Sequence, residues 1–319
     1  MLPYLFAILS AAGIGLNNTC VQLGMRFSQV TGAQALIINL ITGNALLIIV
    51  SCVVFMSQGF PELNFLGIVF FTAAGLMGPF FGRLLSFSAI KRIGATRTVV
   101  YRMGDMFFTM LLSYFILKND IRIKGLIGAV ILAAGVVILI KEKSKQVKPN
   151  NEVQGNSINN FINEENKKIW TNFHLFFNSG VILALICGLF FALGGIFREL
   201  GINSIPSAIL GTLLSTFVAL IANSIYSFYS KQWGSNWNIS GKSLMCFVVG
   251  GVGNSLGILT FFLALVNEVP VFMVAALKNT APVFTLIFSW IALRKVEHFS
   301  IKLLVSIFLV IIGSSLIVY

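Results

Sequence analysis

GPFFGRLLSFSAIKRIGATRTVVYRMGDMFFTMLLSYFILKND, residues 78–120, consists of two apolar segments joined by the basic turn Lys91-Arg92-Ile93-Gly94, with Arg83, Arg102 and Asp105 set inside the segments rather than in the turn. A helix that crosses the hydrocarbon core of a bilayer needs about 20 mostly apolar residues. Read outward, the first segment extends back to residue 65 and the second runs from 94 to 117, so each has the length of a membrane span. An ionisable side chain at bilayer depth costs roughly 2.5–3.5 kcal/mol on insertion scales unless it faces a cavity or a partner. The stretch therefore reads as two membrane helices built around something polar.

The rest of the chain repeats this texture. Of 319 residues 57% are hydrophobic and 10% charged, where a soluble domain carries about 25% charged residues; the mean hydropathy is +0.93. Apolar windows predict an all-α membrane protein of ten transmembrane helices, at 2–25, 31–56, 65–90, 94–117, 123–140, 173–198, 204–229, 243–267, 270–293 and 299–319. The domains expected are a first five-helix repeat (1–140), a polar Asn- and Lys-rich linker (141–172) and a second five-helix repeat (173–319). The net charge of +12 comes from Lys and Arg at helix ends, not from one solvated basic face, which argues against nucleic acid and for anchoring at headgroup level. The start, Met1-Leu2-Pro3-Tyr4, has no basic n-region, so the first span is expected to remain in the mature protein. Cys20, Cys52, Cys187 and Cys246 stand singly, without disulfide or zinc spacing. No Walker A or HExxH occurs, and neither an enzyme nor a cofactor is expected.

The halves match each other weakly. A shift of 174 sets Leu40 on Leu214, Thr42 on Thr216 and Ala45 on Ala219; a shift of 175 sets Phe87 on Phe262 and Ala89 on Ala264. An odd number of spans per half makes the second enter the membrane from the opposite face. Inverted repeats are a recurring plan of secondary transporters, with substrate held near the midplane between the halves.

Gly78-Pro79, Gly82-Arg83-Leu84-Leu85-Ser86, Arg92-Ile93-Gly94-Ala95 followed by Arg97, and Lys278-Asn279-Thr280-Ala281-Pro282-Val283-Phe284 resemble the EamA-type branch of the drug/metabolite transporter superfamily. The resemblance covers nearly all of the chain outside the linker. It implies ten-helix carriers made of two five-helix repeats, a Pro-containing ninth helix, and an acidic residue just after the fourth and ninth helices, which Asp120 and Glu297 fit loosely. In the fourth helix Phe107 stands where that Pro would be. The resemblance also suggests cytoplasmic termini, whereas the Lys and Arg excess in odd-numbered connections points the other way, so orientation stays open.

Arg83 and Arg102 should lie ~10–12 Å deep, and Lys278 at a similar depth from the other face. Tyr101, Arg102 and Asp105 share a helix flank. These residues, with Asn17, Asn18, Asn39, Asn254 and Asn279, and Gln22 and Asn44 beside them, are the candidate substrate contacts. Arg102 and Lys278, near repeat-related positions, are expected to face a shared central cavity as the main anion-holding pair. The alternative is structural: Arg102 and Asp105 neutralise each other while Arg83 and Lys278 snorkel. Counting Arg97 as less deep, cations outnumber carboxylates, which favours an anionic or zwitterionic metabolite. Two other readings remain at this stage: an exporter of lipophilic cations driven by proton exchange, and a non-transporting membrane scaffold. The expected partners are the lipid bilayer, most simply the cell (inner) membrane, and a small-molecule substrate; monomer and homodimer both remain open.

Overall fold

Lipid offers no partner to a free N–H or C=O, so each apolar run must satisfy its own backbone, and a helix does so within one segment. The computed structural model describes residues 2–28, 30–118, 179–230, 239–267, 269–293 and 301–318, with isolated positions between 125 and 138. Among these residues every regular element is helical. The elements are α1 (Leu2–Phe27), α2 (Gly32–Gln58), α3 (Phe65–Gly75), a π-helical segment (Leu76–Gly82), α4 (Arg83–Ile93), α5 (Ala95–Arg102) and α6 (Asp105–Leu117). They continue with α7 (Ser179–Ser204), α8 (Ala208–Tyr229), α9 (Gly241–Val266), α10 (Val271–Lys278), α11 (Ala281–Leu293) and α12 (Ile301–Val318).

Eight spans among the described residues are long and apolar enough to cross a bilayer: α1, α2, α3 through α4, α5 with α6, α7, α8, α9, and α10 with α11. Large apolar side chains such as Phe65, Phe115 and Phe228 point outward, where only lipid can cover them. The chain is thus an integral, multi-pass membrane protein. The expected fifth span (123–140), isolated positions apart, the linker (141–172), Asp120 and Glu297 lie outside the described residues. Within α12 the apolar stretch is the shorter Leu304–Gly313.

Helix starts follow the local sequence. Thr31 and Gln34 form a reciprocal capping box at α2, and Asn64, Ser207 and Ser240 cap α3, α8 and α9. Between α4 and α5, Gly94 has φ +85°, a conformation that a Cβ resists. It lets the chain reverse directly after Ile93. Numbered in the ten-span order expected from the sequence, the sixth span corresponds to α7 and runs to Ser204, not to 198, which corrects one expected boundary. Arg198, which falls at the expected end of that span, therefore lies six residues inside the helix.

Three spans are irregular. Pro79 has no N–H to give to the turn before it, and the third span passes through a π segment there. The fourth span breaks at Met103-Gly104, where Met103, Gly104 and Met106 donate to carbonyls three residues back. The ninth breaks at Asn279-Thr280, where Thr280 and Val283 do likewise and Pro282 cannot donate to the Lys278 carbonyl.

Small residues fix how the spans meet. Along α1, Ser10 lies against Gly257, Gly13 against Gly253 and Gly24 against Phe247, so α1 and α9 run antiparallel. Along α7, Gly180 lies against Ile93, Gly194 against Gly78 and Gly201 against Phe71, so α7 runs antiparallel to the third span. In α2 and α8, Asn44 bonds to Thr216, and Asn223 to the Ala33 carbonyl, again antiparallel. Thr19 reaches Thr285 and Ser289, which sets α1 parallel to α11.

Candidate substrate cavity

The π segment ends where Arg83 begins α4: the Arg83 N–H is shared between the carbonyls of Gly78 and Phe80. This extra residue in the turn directs a 5%-exposed guanidinium inward. Its Nη1 donates to Asn39 Oδ1 at 3.2 Å and its Nη2 to Asn254 Oδ1. Asn39 in turn donates to Asn17 Oδ1 at 2.8 Å and to the Phe247 carbonyl. A donor-only guanidinium thus orients a chain of amides from α9 through α2 to α1.

Arg102 closes α5, just before the break in the fourth span. Its Nη1 donates to Ser86 Oγ at 3.4 Å, and its guanidinium carbon sits 4.9 Å from the Phe191 ring centroid. Arg198 is 6% exposed and lies over Phe261 and Phe262, at 5.2 and 5.5 Å. Its neighbour Glu199 turns elsewhere, accepting the Val271 N–H at the start of α10. Lys278, at the break in the ninth span, donates to Asp105 Oδ2 at 2.8 Å, an ion pair that joins the two broken spans. Among the described residues no carboxylate pairs with Arg83, Arg102 or Arg198.

These side chains surround one small cavity, part of it open to the outside. Its wall is Ser10, Ile14, Asn17 and Asn18 from α1; Arg83, Ser86 and Phe87 from α4; Arg102 from α5; Phe191 and Arg198 from α7; Asn254, Gly257, Ile258 and Phe261 from α9; and Lys278 from α10. Three buried polar atoms on the wall, Ser10 Oγ, Asn18 Nδ2 and Arg198 Nε, have no hydrogen-bond partner among the described residues. Buried polar groups are almost always paired, so each of these atoms has a hydrogen bond still to make on this wall.

Of the residues singled out in the sequence, Asn17, Asn18, Arg83, Arg102, Asn254 and Lys278 line the cavity. Asn39 stands one hydrogen bond behind Arg83 and Asn17. Asp105 is off the wall, bound to Lys278. Tyr101 is buried in an apolar cluster with Val100, Met103 and Ala276, and Asn279 is buried in the break of the ninth span; neither lines the cavity. Two further expectations change. Gln22 accepts the Ala95 N–H at 2.8 Å, and Asn44 ties α2 to Thr216 of α8, so both are interhelical connections. The alternative reading, in which Arg102 neutralises Asp105, gives way to pairing of Asp105 with Lys278, because i,i+3 spacing across a broken helix no longer brings Arg102 and Asp105 together. Arg97 does not line the cavity.

Sequence reasoning missed Arg198, Ser10, Ser86, Phe191 and Phe261. For Arg198 a signal existed: Leu200, Ile202 and Ile205 continue the apolar period beyond the Arg198-Glu199 pair.

A family model described as the EamA-like transporter family matches the chain twice, over residues 1–141 and 178–319. No curated protein matches. Among solved structures 24 chains match. One, described as the crystal structure of a protein, superposes with a TM-score of 0.62 at 15% identity, over 99% of this chain and 94% of that chain. At that identity the likeness concerns the fold alone.

Proposed function

The chain belongs to the EamA-like transporter family, and from that premise we propose that it is a secondary carrier of a small polar metabolite, anionic or zwitterionic, working by alternating access around the central cavity. The observation that carries this reading is the cavity itself: three arginines without carboxylate partners converge on it from both halves of the chain. Unpaired cations at bilayer depth are too costly to keep idle, and guanidinium groups grip carboxylates and phosphates through paired hydrogen bonds. The cationic wall speaks against a lipophilic-cation exporter, and the unfilled polar centre against a packed scaffold.

The proposed architecture is ten spans in two inverted five-helix repeats, in a cell membrane. Three observations support it. The first spans of the halves, α1 and α7, each run antiparallel to the third span of the other half. The fourth span of each half breaks directly after a cation, Arg102 or Lys278. Both breaks adjoin the cavity, as discontinuous helices do in carriers.

The test is exchange in proteoliposomes loaded with a broad set of radiolabelled polar metabolites, alongside a thermal-shift screen of the purified chain. Uptake that saturates, needs no ATP and falls in Arg102→Gln is expected. Absence of exchange and of stabilisation by every solute would overturn the carrier reading.

A further inference from the structure

The hydrogen-bond polarity of the cavity wall narrows the ligand. Arg83 has donors only, so the amides it touches must turn their oxygens toward it. Asn254 Oδ1 and Asn39 Oδ1 accept from Arg83, and Asn39 then has only its Nδ2 to offer Asn17, whose Oδ1 accepts it. The orientation set at Arg83 is thus passed through three asparagines. The Nδ2 groups of Asn17 and Asn254 remain without a hydrogen bond among the described residues. Asn18 Nδ2 and Arg198 Nε are unpartnered donors as well, and both residues are more than nine-tenths buried.

The charges point the same way. Arg83, Arg102, Arg198 and Lys278 line the cavity, and Asp105, the one carboxylate paired with any of them among the described residues, is bound to Lys278 and lies off the wall. An ammonium group entering this cavity would meet guanidinium and amide N–H groups, with no carboxylate on the wall to receive it. A monoanion would leave two of the three unpaired arginines uncompensated. Two aromatic rings hold the cations in place: Arg102 and Lys278 lie over Phe191, and Arg198 and Lys278 over Phe261. This organises the donors before any ligand arrives.

On the carrier reading above, we propose that the transported ligand is a compact dianion without an ammonium group, a phosphate monoester or a dicarboxylate, gripped between Arg102 and Arg198. The two sources share acceptor-only oxygens and double negative charge, and matched probes separate them.

The experiment is isothermal titration of the purified full-length chain with glycerol 3-phosphate, succinate, glutamine and glycerol, with proteoliposome exchange of the same four solutes and of a broad metabolite mixture. Glycerol 3-phosphate or succinate should bind, and whichever is tighter names the source. Glutamine and glycerol should bind at least about a hundredfold more weakly. Arg198→Gln should weaken dianion binding at least about tenfold, Arg198→Lys less, and Asn18→Asp, which adds an acceptor and a negative charge to the wall, about as much as Arg198→Gln. Melting temperatures of all three variants near that of the parent would show that binding, not folding, has changed. If glutamine binds as tightly as the tighter of the two dianions, or neither dianion binds, the dianion inference is overturned. Exchange of any solute in the mixture would still leave the carrier reading standing, and absence of all exchange would remove that too.

Discussion

At the scale of single residues, the ion pair of Lys278 and Asp105 changes what a substitution should do. Lys278 taken alone is a buried cation whose removal ought to relieve the fold. Paired with Asp105 at 2.8 Å, with side chains 12% and 3% exposed, it is instead the counter-charge of a buried carboxylate. Removing one member of such a pair costs about 3–5 kcal/mol, because the other is left charged and uncompensated. Lys278→Met should therefore lower the melting temperature of the detergent-solubilised protein markedly, and adding Asp105→Asn should recover most of the loss. A melting temperature unchanged by Lys278→Met alone would contradict the pairing. The sequence placed both residues at depth, because position along a helix sets depth. It did not show that they meet, since contact between spans 173 residues apart depends on which way each helix faces.

At the scale of elements, glycine has different uses at Gly13 and Gly104. A Cβ on Gly13 would lie 2.3 Å from the Gly253 carbonyl oxygen, inside the closest approach of α1 and α9. Gly13→Ala must push the two helices apart and should cost about 1–3 kcal/mol, visible as a lower melting temperature. At Gly104 the nearest atom to such a Cβ is the Tyr101 carbonyl oxygen at 3.7 Å, and the backbone is right-handed helical. Gly104→Ala should therefore be neutral, or stabilise by about 0.4–1 kcal/mol through the unfolded chain. Equal losses in both variants would show that the α1–α9 approach is less tight than described. The close packing was legible in Gly13-Ile14-Gly15 and in Gly250-Gly251-Val252-Gly253. The broken ninth span was legible through Pro282. The matching break in the fourth span was not, because no proline marks it: three-residue hydrogen bonds around Met103-Gly104 make the same interruption.

At the scale of the whole molecule, the places of the eight described spans along the chain could be read from hydropathy, whereas their partners could not. Sequence order groups α1 with α2 and α3, yet α1 lies chiefly against α9 and α11, and α7 against the third and fourth spans. Each half thus lends its first helix to the other, a relation that lipid-facing patterns cannot reveal because they show which face avoids lipid and not which helix covers it. The same blindness hid Arg198, whose helix carries on for six residues past it. This exchange defines the bodies that would move in alternating access: α1 with α9 and α11 on one side, and α7 with α3 through α6 on the other. Gln22 of α1 bridges them at one end of the cavity, accepting the Ala95 N–H of α5 at 2.8 Å. A Gln22→Cys, Ala95→Cys pair, made after replacing the four native cysteines with serine, could be joined by a short reducible bifunctional thiosulfonate. Joining should stop exchange in proteoliposomes while leaving ligand binding measurable, and a reductant should restore transport. Joining Ser28→Cys to Ser240→Cys, whose hydroxyls meet at 3.3 Å where the end of α1 lies against the start of α9 within one body and off the cavity wall, should leave exchange intact. If verified Gln22–Ala95 linkage left exchange at the parent rate, these two groups of helices would not be the bodies that move.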